Sequence, residues 1–287
     1  MIDRLAIIGV GLIGGSLALA LKQAGEVKHV VGCGRNEKNL IKGVELGVID
    51  SYQVSIADAV KGADIVVLAI PLGSMQTVFE KIAGVISSQT VITDVGSAKA
   101  SVVQVATECL GERIRQYVPG HPIAGTEKSG VEAGFASLYQ NRKVILTPLE
   151  STDKDAIETI DKMWRHCGAS IEYLSVQHHD KVLAATSHLP HMLAFALVTF
   201  LSGLNDHDEI FRYAAGGFRD FTRIASGDPV MWRDVCLSNG DALLSLIDAY
   251  KDELDLVSDA IKNQDADRLL ELFSKAKSER DSLVGSC

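Results

Sequence analysis

An apolar run that breaks into closely spaced glycines and resumes as a helical pattern leaves few folds open. This chain begins with one: Arg4-Leu-Ala-Ile-Ile-Gly9-Val-Gly11-Leu-Ile-Gly14-Gly15-Ser16. The spacing Gly-x-Gly-x-x-Gly gives each glycine its own task. Gly9 permits a tight turn, Gly11 removes a side chain where backbone must approach a pyrophosphate, and Gly14 lets the new helix pack closely on its strand. Helix N-terminal amides then face the anion. Because a strand precedes the glycines and Leu17 to Leu21 continue as a helix, a dinucleotide-binding opening is favoured over a turn of purely steric origin.

From Leu5 to about Leu174, short apolar runs alternate with amphipathic stretches, the pattern of a parallel sheet covered on both faces. Strands are expected at Leu5–Gly9, His29–Gly32, Ile65–Ala69, Val91–Asp94, Tyr117–Pro119, Val144–Leu146 and Ser170–Leu174. Helices are expected at Asn36–Leu46, Met75–Ala83, Ala98–Cys109 and Asp153–His166. After Ser175 no β-rich run follows, and long helical patterns take over, including Lys181–Leu201, Met231–Glu253 and Asp265–Leu283. The expected fold is therefore α/β: an N-terminal Rossmann-type dinucleotide-binding domain, residues 1–174, followed by an all-α dimerisation domain, residues 175–287. The strongly apolar Met192–Leu201 has no sheet to lean on. Helices of a second subunit are its expected cover, with mutual cover inside a monomer as the alternative.

Composition narrows the partners. The net charge of −9 is spread without a basic block, so nucleic acid and anionic membrane surfaces have no electrostatic footprint, and any anionic ligand must be held by locally placed cations. The 5 cysteines, Cys33, Cys109, Cys167, Cys236 and Cys287, are odd in number and lack Cys-x-x-Cys spacing. They read as reduced thiols of a cytoplasmic protein, with neither a disulfide framework nor a metal site. Met1-Ile-Asp-Arg leads straight into the first strand, so no removable signal segment is expected. Met192–Leu201 spans about half of the roughly 20 residues that cross a bilayer.

The residues expected to hold the dinucleotide are Gly9, Gly11, Leu12, Ile13 and Gly14 in the first turn, Gly34 and Arg35 after the second strand, and Ile70 and Pro71 after the third. Domains that prefer NAD carry Asp or Glu about 20 residues past the glycines, where it accepts from the ribose 2′-hydroxyl. Here Gly34-Arg35-Asn36 offers no carboxylate and one guanidinium, so NAD(P) binding leans towards NADP. Glu37 keeps NAD open if the turn is offset, and Arg35 could equally be a solvated cation or stack on adenine.

Three later segments carry chemistry. Thr93-Asp94-Val-Gly96-Ser97-Ala-Lys99 ends a strand on the cofactor side, which would bring Ser97 and Lys99 out beside the nicotinamide, with Ser97 also suited to cap the next helix. Gly120-His121-Pro122-Ile-Ala-Gly125-Thr126-Glu127 sets a histidine between glycine and proline on a stiff turn, where imidazole could accept an alcohol proton. In Gly216-Gly-Phe-Arg219-Asp-Phe-Thr-Arg223, the arginines share a face if the stretch is helical. Arg223 would serve a carboxylated ligand and Arg219 would pair with Asp220, Asp228 or Asp234. Ser187-His188-Leu-Pro190-His191 offers a helix start or a polar wall of the same cleft.

Together these motifs resemble, in order and nearly end to end, the prephenate/arogenate (cyclohexadienyl) dehydrogenases of tyrosine biosynthesis. The resemblance implies NAD(P)-dependent oxidative decarboxylation of a cyclohexadienol by a homodimer joined through its helical domain, without a metal. It implies His121 and Ser97 as catalytic, and Arg223, His191, Thr126, Glu127 and Trp232 around the substrate, with Trp232 on its own subunit or reaching across the dimer. It leaves prephenate against arogenate open. A β-hydroxyacid dehydrogenase, an imine reductase or a non-enzymatic nucleotide sensor would share the glycine turn without needing the His121 and Arg223 segments.

Overall fold

The computed structural model describes residues 1–126 and 128–284. By compactness the chain divides into residues 1–240 and 241–287. The first unit opens with β1 (Ile2–Ile8), α1 (Leu12–Gln23), β2 (Val27–Cys33), α2 (Glu37–Glu45), β3 (Ser51–Gln53), α3 (Ile56–Val60), β4 (Ile65–Leu68), α4 (Met75–Ala83), β5 (Val91–Asp94) and α5 (Ala100–Leu110). With β6 (Tyr117–Val118) these strands form one parallel sheet in the order β3-β2-β1-β4-β5-β6, the doubly wound dinucleotide arrangement. The central strands are nearly continuous Val, Ile and Leu because helices cover both faces. One core gathers α1 with Tyr139 and Trp164, and the other gathers Met75, Phe79, Ile82 and Tyr117.

The expected single parallel sheet is in fact two. Pro119 lacks the N–H needed to prolong β6, and the chain bends there into β7 (Gly120–Pro122), which pairs antiparallel with β8 (Lys143–Leu146). After α6 (Lys154–His166), β9 (Ser170–Tyr173) joins β8 in parallel. His121 is thus a strand residue opposite Ile145, not a turn residue. β3 and β7 have 3 residues each, too short for sequence periodicity to announce.

Helices follow: α7 (Val176–Leu183), a π-helical turn over Ala184–His188, α8 (Leu189–Ser202), α9 (His207–Arg212), α10 (Gly216–Thr222) and α11 (Pro229–Ser238). The π turn has a local cause, since Pro190 has no N–H to return to Thr186 and the ladder must widen around that gap. Val176–Ser202 is long and apolar enough to cross a membrane by length and composition alone. It nonetheless carries His179, Asp180 and His188, all buried and hydrogen-bonded to other side chains, so its first half is tied into the polar interior of the chain. Only Ala194 is fully buried along α8, most of its other apolar residues are half-buried, and Phe200 is 64% exposed, so its apolar surface is incompletely covered by the described residues.

The expected Met231–Glu253 helix is broken. Asn239 leaves helical geometry at φ −121°, ψ 37°, and a new helix, α12 (Gly240–Lys262), begins beside it. The second unit consists of α12 from Asp241 onward and α13 (Ala266–Val284), joined by a turn with Gln264 at φ 53°.

Candidate active site

The glycine turn is shaped as its spacing predicts. Gly9 has φ +103°, and a Cβ there would sit 2.0 Å from the Ala69 carbonyl oxygen. At Gly14 a Cβ would sit 2.3 Å from the Gly9 oxygen. Gly11 differs, because nothing lies within 4 Å of its would-be Cβ, so the space over it is open to a ligand. No side chain caps α1 and its first turn has no acid. Gly15 N–H is bonded back to the Gly11 carbonyl at 2.8 Å, which leaves the amides of Leu12, Ile13 and Gly14 as an anion-facing set. Ile70 backs the turn, its Cγ2 3.0 Å from the Gly9 position, and Pro71 follows it, exposed. Gly34 and exposed Arg35 leave the end of β2, while Glu37 accepts from the Tyr52 hydroxyl at 3.1 Å. The amides and open floor fit the pyrophosphate of a dinucleotide.

His121 is 8% exposed and wired to the helices. Its Nδ1 lies 2.9 Å from Nε2 of His179, whose Nδ1 lies 2.8 Å from Asp180 Oδ1. Burial, and then the neighbouring His179, Lys99 and His188, push the His121 pKa well below the ordinary histidine value. The ring is therefore neutral at physiological pH, a hydrogen-bond acceptor ready for an alcohol. Asp180 also accepts from the backbone N–H groups of Lys99 and Ala100, both at 2.8 Å. The cap of α5 is thus supplied by Asp180 rather than by Ser97, which is half-buried and makes no cap bond.

Lys99 does not emerge beside the cofactor as its motif suggests. It is fully buried, paired with Asp94 and donating to the Gly120 carbonyl at 2.7 Å. Asp94 also accepts from Tyr117 Oη at 2.6 Å, Gly96 N–H at 2.8 Å and Gly120 N–H at 3.3 Å. This cluster locks the end of β5 to the first residue of β7, adjacent to His121. A lysine is an expensive clamp to bury, and burial lowers its pKa against the pull of Asp94.

A second group forms around His191. Its ring stacks on Trp232 with centroids 3.7 Å apart, and its Nδ1 is 2.8 Å from the Ser187 carbonyl. Burial lowers its pKa and the charge of Arg223 lowers it further, which sets that exposed guanidinium close by. Trp232 therefore packs on a histidine of its own chain. Arg223 directly follows α10 and its N–H returns to the Arg219 carbonyl, so the two arginines stand one helical turn apart. Two of the acids expected for Arg219 are engaged elsewhere: Asp228 caps α11, and Asp234 binds Arg233 and the Gly73 N–H. His188 is fully buried beside Trp232 and the Ser97 backbone, its pKa pulled down to about 4 by burial. Its Nδ1 meets the Asn239 amide at 3.1 Å, and that amide also donates to the Asp180 carbonyl at 2.8 Å. Thr126 sits on the exposed loop after β7, accepting from Lys128 N–H, and Glu127 lies outside the described residues.

Sequence reading missed His179, Asp180 and Asn239. A signal was present: the buried face of α7 is Val176, His179, Asp180 and Leu183, an i, i+3, i+4, i+7 stripe with two ionisable residues in it.

A glycine cradle at the carboxyl end of β1, inside a doubly wound sheet, together with a buried neutral imidazole in the same unit, is the combination of a nicotinamide-dinucleotide dehydrogenase. Residues 17–173 match the family model "Prephenate dehydrogenase, nucleotide-binding domain" and residues 175–275 match "Prephenate dehydrogenase, dimerization domain". The chain belongs to the prephenate dehydrogenase family. It is 40% identical to a cyclohexadienyl dehydrogenase of Zymomonas mobilis over 98% of this chain and 96% of that one. It is likewise 40% identical to a prephenate dehydrogenase of Bacillus subtilis, over 99% of this chain and 76% of the relative. The structure of Aquifex aeolicus prephenate dehydrogenase in complex with hydroxyphenyl propionate and NAD+ superposes with a TM-score of 0.92 at 36% identity, covering 99% of both chains.

Proposed function

We propose that this protein catalyses the oxidative decarboxylation of prephenate, arogenate or both in the cytoplasm, giving 4-hydroxyphenylpyruvate or tyrosine. The observation that carries the reading is the neutral His121 imidazole, buried and held by His179 and Asp180 beside the dinucleotide half of the fold. The bound cofactor supplies the hydride acceptor. As the carbinol carbon loses its hydride, the ring hydroxyl donates to His121, which stabilises the positive charge developing at that carbon. The electron pair of the opposite carbon–carboxylate bond then falls into the ring as carbon dioxide departs. Charge balances without a net proton: one carboxylate charge disappears with the carbon dioxide, the cofactor's positive charge is neutralised, and the phenol keeps its hydrogen. His121 therefore has only to hold the proton, or borrow and return it.

Ser97 serves as a second polar contact to the hydroxyl. Arg223 holds the substrate carboxylate that is not lost, and His191, Thr126, Glu127 and Trp232 line the rest. Gly9, Gly11, Leu12, Ile13, Gly14, Gly34, Arg35, Ile70 and Pro71 hold the cofactor, with NADP preferred through Arg35. The dinucleotide-binding part spans 1–174, and 175–287 carries the substrate wall and a homodimer contact through the incompletely covered α8. Offering prephenate and arogenate separately with each nicotinamide cofactor tests the reading. Turnover of at least one is expected, and turnover of neither by protein that binds cofactor overturns it.

A further inference from the structure

We propose that His179 and Asp180 are positioning residues that fix His121 as the Nδ1–H tautomer, so that its Nε2 is a standing acceptor towards the substrate hydroxyl. The inference rests on the reading of His121 given above.

The chain of reasoning starts at Asp180, whose carboxylate is surrounded by donors. The backbone N–H groups of Lys99 and Ala100 reach its two oxygens at 2.8 Å, and the His179 ring lies 2.8 Å from Oδ1. Burial alone would raise its pKa, but these bonds hold it below the ordinary aspartate value, so the group is an anion that can only accept. His179 Nδ1 must then carry a proton. In a neutral ring this leaves Nε2 as a lone pair, and among the described residues the group facing that lone pair, at 2.9 Å, is His121 Nδ1, which must donate. The second nitrogen of His121 is left unprotonated. Each step removes one of two choices, and all of them descend from one carboxylate that is anchored by backbone.

The same aspartate reaches the other buried histidine. Its carbonyl takes one hydrogen of the Asn239 amide, and the other meets His188 Nδ1, which leaves the His188 hydrogen on Nε2. Two histidines of opposite polarity are therefore set from one residue of α7. The charged and titratable groups facing His121 are His179 and Asp180 from α7, Lys99 with Asp94 from the β5 to α5 segment, and His188 from the π turn.

The test reads the tautomer directly, by long-range 15N–1H correlation on protein labelled at histidine, with His121 assigned by its loss in His121→Asn. A neutral His121 with its hydrogen on Nδ1 is expected. In parallel, His179→Gln keeps a carbonyl able to accept from His121 Nδ1, whereas His179→Leu does not. Gln should keep kcat within about tenfold, while Leu should lower it about 10²- to 10³-fold with KM and cofactor affinity little changed. A merely structural role would move melting temperature and KM in both variants without separating them. Asp180→Leu, which leaves His179 Nδ1 without its acceptor, should resemble His179→Leu, and because Asp180 also caps α5 the His179 pair decides if that variant fails to fold. Hydrogen found on Nε2 of His121 in the unmodified protein, or full kcat in a folded His179→Leu, overturns the proposal. The tautomer is read without substrate, so a wired but inactive protein would overturn the function reading and leave the wiring intact.

Discussion

Replacing Lys99 by methionine tests whether the buried clamp beside His121 holds the site in place. Methionine keeps the stem volume and removes the ammonium, leaving Asp94 fully buried with its charge and the Gly120 carbonyl without the donor at 2.7 Å. Breaking a buried ion pair from one side costs about 3–5 kcal/mol. Asp94 retains the Tyr117 hydroxyl at 2.6 Å and the Gly96 and Gly120 amides, so the loss should fall at the lower end, about 3 kcal/mol. At 2–4 °C per kcal/mol for a chain of this class, melting should drop by roughly 10 °C. The double variant Asp94→Asn, Lys99→Met removes the stranded charge and should recover about half of that loss. Urea midpoints of the single and double variants give the comparison. A loss below about 1 kcal/mol, or a double variant less stable than the single, would refute the clamp. Because Gly120 adjoins His121, kcat should also fall while cofactor affinity holds.

His121→Asn should fold and bind cofactor yet lose about 10²- to 10⁴-fold in kcat, and near-normal turnover would move the acceptor elsewhere. A Cβ at Gly34 would meet only Leu40 Cδ2 at 3.6 Å, so Gly34→Asp should fold and shift preference towards NAD by roughly tenfold, while Arg35→Ala weakens NADP selectively; equal effects on both cofactors would refute the role of this loop. Arg223→Ala should raise KM by one to two orders of magnitude, about 1.5–3 kcal/mol, with melting temperature little changed and partial rescue by lysine; an unchanged KM removes Arg223 from the site. His188, with a pKa of about 4 in the fold and the ordinary histidine value when unfolded, stays neutral while the unfolded chain takes up a proton. Its stabilisation is intact above pH 6.5 and is lost as pH falls towards 4, about 3 kcal/mol in all, so the urea midpoint should decline over that window and decline less in His188→Asn.

The elements legible in the sequence were those whose pattern is local. The glycine turn, the long strands of the parallel sheet and α4 follow from periodicity and punctuation within a few residues. The second sheet was not legible, because β7 has 3 residues and its partner β8 is reached only after a long loop, so nothing local distinguishes it from a turn. Pro119 was the available clue, since a proline at the end of a strand argues against continuing the ladder. Lys99 was misplaced for another reason. A lysine is expected at the surface unless a partner is known, and the partner Asp94 becomes meaningful only when β5, β6 and β7 are brought side by side. The motif residues His121, His191 and Arg223 were found by type and setting, whereas His179 and Asp180, which give His121 its direction, were hidden within an ordinary amphipathic stripe.

The bend at Pro119–Gly120 explains why these hidden residues matter. Had β6 run on in the parallel sheet, position 121 would have lain in line with the other strand ends. Instead Gly120 turns the chain while three of its features are used at once: its N–H binds Asp94, its carbonyl binds Lys99, and its missing side chain admits the Asp94 carbonyl oxygen 3.0 Å from where a Cβ would be. His121 is thereby carried on a strand pinned on one side by a buried ion pair and met on the other by the ring of His179. Asp180 in turn ties that ring to the first turn of α5, which starts from the same loop as Lys99. The imidazole is consequently fixed in place, charge state and tautomer by backbone-anchored groups, without relying on mobile surface side chains. Such preorganisation is what an acceptor needs when its interaction must strengthen only as the hydride leaves.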